Sequence, residues 1–88
     1  MKEAQWSDTG MWLQTIMLLL REQGLDSCPQ EFMAYYADPI MEHIGVSTET
    51  HRFFCGVGIG YRDPDAPVNS FERNRVPLDE HVRFEGFE

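Results

Sequence analysis

The sequence predicts one α+β domain over residues 1–88: a buried central helix, one or two short helices, a core strand and a C-terminal tail strand. Three observations lead there. Apolar residues recur at helical spacing between Met11 and Leu20, at period two between Arg52 and Tyr61, and again in alternation from Val82 to Glu85. With 88 residues there is room for one domain with a thin core, and the 42% apolar content is ordinary for a globular chain.

The first helix is expected over about residues 9–23, with Ser7, Asp8 and Thr9 as candidate N-caps and Gly24 where a helix stop is favoured. Leu13, Ile16, Met17 and Leu20 form its apolar stripe. Trp12, Leu18 and Leu19 make the other side apolar as well, and a helix that is hydrophobic nearly all round is buried nearly all round. So short a chain can hardly cover it, which predicts a homodimer through this helix.

Gly24 to Pro29 reads as a connection. Phe32, Tyr36 and Ile40 then recur at helical spacing, but Pro39 interrupts the ladder, so two short helices are favoured over one. Asp38 would cap the second with Pro39 at its first position, and Gly45 would end it. Ser47 to Thr50 is a polar turn.

From Arg52 to Tyr61, Phe53, Cys55, Val57, Ile59 and Tyr61 lie on one face of a strand, and Phe54, Gly56, Gly58 and Gly60 on the other. The bulky face should pack in the core, and the glycine face invites the central helix. Gly58→Val is then expected to overpack that face and destabilise the fold. Asp63 to Pro67 form a turn, and the tail strand at Val82 to Glu85 would pair either with the Arg52 to Tyr61 strand or with the same strand of another subunit.

The net charge of -8 argues against nucleic acid and anionic membrane surfaces as partners. The apolar run at Met11 to Leu20 is about half of a membrane span. Cys28 and Cys55 are far apart with no CxxC spacing, and no stretch resembles a secretory signal, so a cytoplasmic location is expected. His43, His51 and His81 are scattered, so no metal site is expected. Gly56, Gly58 and Gly60 lie inside a strand and not ahead of a helix, so the dinucleotide fingerprint fails on context. Four of the seven basic residues, Arg62, Arg73, Arg75 and Arg83, sit in the last third, where a local anion site can form.

Gly24-Leu25-Asp26-Ser27-Cys28-Pro29-Gln30, placed after an apolar helix, resembles the segment that follows the long central helix of FMN-dependent nitroreductases. Phe54 to Tyr61 looks like that family's last core strand, Asp63 to Asn69 like the turn that leaves it, and Arg75 to Glu80 like its C-terminal Arg-x-Pro stretch. Order and spacing agree over roughly residues 8–87, and four such segments in sequence are far more specific than any one.

The resemblance implies a partial nitroreductase-like fold, corresponding to the C-terminal half, of an α+β homodimer that binds FMN at its subunit interface. Family members take hydride from NADH or NADPH and reduce nitroaromatics, quinones or similar small acceptors. By that resemblance Pro29, Gln30 and Glu31 pass along the flavin ring, with a backbone N–H near Glu31 directed at N5, and Arg73 and Arg75 hold the phosphate. No catalytic side chain is required, because the flavin carries the redox chemistry. The chain is expected to be too small a part of that fold for activity or for more than weak FMN binding. Two further readings remain: a stand-alone dimerisation or interaction module without redox activity, and a small flavin-binding protein.

Overall fold

A computed structural model describes residues 3–87. Helix α1 (Glu3–Glu22) is followed by strand β1 (Asp26–Gln30), a 3-10 turn at Glu31–Tyr36, helix α2 (Ala37–Ile44), strand β2 (Gly56–Gly60), a second 3-10 turn at Pro67–Asn69 and the short helix α3 (Leu78–His81). The only sheet among the described residues is the antiparallel pair of β1 and β2, in register from Asp26 opposite Gly60 to Gln30 opposite Gly56. The architecture is α+β, as the sequence predicts.

Helix α1 starts earlier than expected, and Ser7, Asp8 and Thr9 lie inside it. Thr9 is accommodated there by a back-bond to the preceding turn, its Oγ1 donating to the carbonyl oxygen of Gln5 at 2.8 Å. The stop is where the sequence puts it. Gly24 has φ 79°, its N–H reaches the carbonyl of Arg21 at 3.0 Å, and Leu25 N–H reaches that of Leu20 at 2.9 Å. This paired closure uses up carbonyls that the last turn leaves orphaned. Helix α2 ends identically at Gly45, φ 75°, with Val46 N–H on the carbonyl of Met41 at 3.0 Å. It begins at Ala37, so Asp38 and Pro39 fall within its first turn and Tyr36 takes the cap position.

The predicted stripe is the covered face of α1: Leu13 is buried, and Ile16, Met17 and Leu20 are half-buried. The other face is open in this chain, as expected of a helix that so short a chain can hardly cover. Met11, Trp12, Leu18 and Leu19 are between 51% and 64% exposed. At its centre Thr15 turns its hydroxyl onto the carbonyl of Met11, 2.8 Å away, so that hydroxyl is satisfied within the helix.

Three further expectations are corrected. Asp26–Gln30, read as a connection, is a strand, whereas Val82 to Glu85 has no strand partner among the described residues, so the expected pairing with the Arg52 to Tyr61 strand is not formed. Alternation alone does not make a strand; a partner with free ladder groups does, and β2 takes β1 as that partner. Second, the bulky face of β2 is not a core face along its length, since Ile59 is 58% and Tyr61 85% exposed. Third, α1 packs on β1 and not on the glycine face, although Trp6 meets Phe54 just before β2 at 5.5 Å between ring centroids.

The glycine face accordingly divides. A β-carbon at Gly58 would meet nothing nearer than the carbonyl oxygen of Cys28 at 3.9 Å, and one at Gly60 nothing at all within 4 Å. Gly58→Val is therefore expected to change stability by no more than about 0.5 kcal/mol, as at other open surface positions. Thermal melts check this, and a large loss would mean that another element covers the face. Only Gly56 is tight, against Met33.

Candidate functional site

Pro29 and Gln30 close β1, and Glu31 opens the 3-10 turn, so the three expected ring-facing residues sit at one strand-to-turn junction. Pro29 lies opposite Val57 and Gln30 opposite Gly56. The ladder thus fixes the junction from behind while Pro29 and Glu31 remain exposed. Beyond it an open cleft of ≈ 530 Å³ is lined by Glu31, Phe32, Ala34 and Tyr35, with Phe32 and Tyr35 offering largely bare rings.

Cys55, one residue before β2, has its thiol pushed above the ordinary value by burial and then by the negative charge of Glu31. It therefore stays protonated at neutral pH and is a poor nucleophile. This agrees with reading it as packing.

Arg73 and Arg75 lie on the exposed stretch between the second 3-10 turn and α3. The guanidinium of Arg73 stands 5.0 Å from the centroid of the Phe71 ring, and Arg75 Nη1 donates to the carbonyl of Asn74 at 3.0 Å. Neither forms an ion pair with a carboxylate among the described residues, in a chain with fifteen acidic side chains. Arg21, Arg62 and Arg83 are each paired. Among the described residues no hydrogen bond or ion pair joins Arg73 or Arg75 to Pro29, Gln30 or Glu31.

Sequence reasoning missed a cluster at the opposite end of β1. Asp26 Oδ1 accepts from Arg21 Nη1 at 2.8 Å and from Arg62 Nη2 at 3.3 Å, and its Oδ2 accepts from the Arg62 backbone N–H at 3.3 Å. Partial burial pushes the Asp26 carboxyl up, but the hydrogen bonds from Arg62 and the charges of Arg21 and Arg62 outweigh it and hold the group below its ordinary value. The carboxylate ties the end of α1, the start of β1 and the exit from β2. Nothing in the sequence signals that Arg21 and Arg62 converge on it, because that depends on the β1–β2 register.

Among the described residues no group of three or more His, Cys, Asp or Glu is placed to hold a metal, and no helix is long and apolar enough to cross a membrane.

Comparison with known proteins gives a consistent result. The sequence profile described as "Nitroreductase family" matches residues 1–61. The chain is 34% identical over 88 residues to a 4-nitrobenzoate reductase of Pseudomonas putida, covering 100% of this chain and 38% of that protein. It is superimposable with TM-score 0.91 on the FMN and NADPH-dependent nitroreductase NfnB of a Sphigopyxis strain, at 46% identity over 99% of this chain and 39% of the other. The FMN-dependent NfnB of Mycobacterium smegmatis, solved in complex with NADPH, gives 0.84 at 36% identity, covering 94% of this chain and 37% of that one. The chain thus spans well under half the length of the proteins it matches.

Proposed function

The chain belongs to the Nitroreductase family, and on that premise we propose that residues 1–88 form a single unit supplying the C-terminal part of an FMN site in an NAD(P)H-dependent nitroreductase. Hydride transfer from NAD(P)H to nitroaromatic or quinone acceptors would be supplied by FMN when it is bound. The chain's own residues have a positioning role. Pro29, Gln30 and Glu31 would flank the ring, with a backbone N–H near Glu31 toward N5, and Arg73 and Arg75 would take the phosphate.

The observation that carries this reading is the state of Arg73 and Arg75. Two guanidinium forks two residues apart stay without carboxylate partners in an acidic protein, and a planar fork matches the oxygens of a dianionic phosphate better than any neutral donor. The Arg73 guanidinium lies over the Phe71 ring. The pocket is nevertheless open on most sides, and affinity in a flavin cleft depends on covering most of the ligand.

A homodimer acting in the cytoplasm completes the proposal, supported by the open apolar face of α1 and by two free cysteines. That same face also supports the second reading, an interaction module without redox activity.

FMN titration, followed by flavin fluorescence and by the chain's amide resonances, tests the site. Binding by this chain is expected to be weak or absent. Any saturation reached at millimolar FMN should fall on the amides of Pro29's neighbours Gln30 and Glu31 and diminish in Arg75→Ala. Sub-micromolar stoichiometric binding would overturn the incompleteness of the pocket. Saturable binding that maps elsewhere, or that ignores Arg75→Ala, would overturn the site.

A further inference from the structure

The 3-10 turn Glu31–Tyr36 carries the proposed flavin-facing Glu31 at its start, yet it has little to hold it. Of its six residues only Met33 is not exposed. Met33 lies on Gly56, where its Sδ occupies the place that a β-carbon would take and its Cε comes within 3.2 Å of that position. Gly56 is also the ladder partner of Gln30. One glycine therefore faces the junction twice, through the backbone pairing of Gln30 and through the side chain of Met33.

In a 3-10 turn each residue advances by only about 2 Å, so a side chain two residues on has little slack relative to the first amide. We propose that Met33, seated on Gly56, is a positioning residue that sets where the Gln30 and Glu31 amides point. Position 56 is glycine because the thioether fills the space of its side chain. The flexibility and polarizability of methionine suit it to such a seat. The nearness of the Glu31 carboxylate to Cys55, the residue before Gly56, agrees with a turn held down at this end. The proposal rests on the assignment of this junction to the flavin ring, and it adds what keeps the junction in place.

The test uses the full chain labelled with nitrogen-15. Met33→Ala is expected to move the Gln30 and Glu31 amide resonances while leaving those of Gly24 and Leu25, at the far end of β1, unchanged. Met33→Leu, which refills the seat with a side chain of similar volume, should return them towards their parental positions. Gly56→Val should evict Met33 and shift the same two amides, and combining it with Met33→Ala should add little, because both changes remove one contact.

Gln30 and Glu31 resonances that stay in place in Met33→Ala, or that Met33→Leu fails to restore, would overturn the proposal. Should Gly56→Val not fold, the Met33 pair decides alone. No flavin is present in this measurement, so a negative result removes the seat and leaves the flavin assignment to the FMN titration.

Discussion

Sedimentation at micromolar concentration is expected to show a homodimer and not a monomer of 10.2 kDa. The accessible surface of the chain is 8107 Å², whereas a folded monomer of this mass exposes about 5,300 Å². The radius of gyration of 17.7 Å likewise exceeds the roughly 12 Å of a compact domain of this length. Surface is therefore left for partners. A stable interface covers about 800 Å² on each side, and the face of α1 formed by Met11, Trp12, Leu18 and Leu19 around Thr15 is a continuous apolar strip on which to begin.

Two copies of that strip would bury apolar area without stranding the Thr15 hydroxyl, which is satisfied within its own helix. Leu19→Glu would place a charge at the C-terminal end of the strip and is expected to give monomer without loss of helix content by circular dichroism. A clean monomer for the parent chain, or a dimer indifferent to Leu19→Glu, would remove α1 as the interface.

Met41→Ala is expected to cost about 2–5 kcal/mol, as for other methionines truncated in a core. In a chain this small that is most or all of the folding free energy. Among the described residues Met41 is the most buried side chain at 3% exposure, and Leu13 at 9% is the other core member. With so few residues fully enclosed, neighbours cannot share the loss. Urea unfolding at one fixed protein concentration checks it, because association shifts the midpoint. Ile44→Ala, on the same helix but 58% exposed, should stay near the parent; equal losses at both positions would mean that the core of the isolated chain does not lie at Met41.

The elements that depend on local chemistry were legible in the sequence. Gly24 and Gly45 stop helices because only a positive φ lets the final carbonyls close, and both positions show it. The stripe Leu13, Ile16, Met17 and Leu20 is the covered face because periodicity reports directly on which side meets the fold. What depends on pairing was not legible. Asp-Ser-Cys-Pro-Gln has no β-branched residue and contains proline, so it carries no strand signal, yet its position after the α1 stop delivers it to β2. Val82 to Glu85 has the alternation and no partner among the described residues.

The site follows the same division. Arg73 and Arg75 were singled out as candidates from a motif, and their lack of carboxylate partners among the described residues needed the structure. The seat of Met33 on Gly56 had no sequence signal beyond a glycine in a strand, and the accompanying glycines Gly58 and Gly60 carried the same signal without the contact.

The pairing of Gln30 with Gly56 also dictates an order of events along the chain. That pair closes a loop containing residues 31–55, and drawing its ends together carries an entropic cost that grows with the logarithm of the free length. Helix α2 lies inside this loop, and its backbone bonds are all local. Helix–coil exchange is an event of about a microsecond or less, and although an eight-residue helix is marginal by itself, each turn that forms shortens the slack segment before the strands meet. The two-stranded ladder is then the late step, and any agent that melts α2 slows closure of the ladder without touching a residue of either strand.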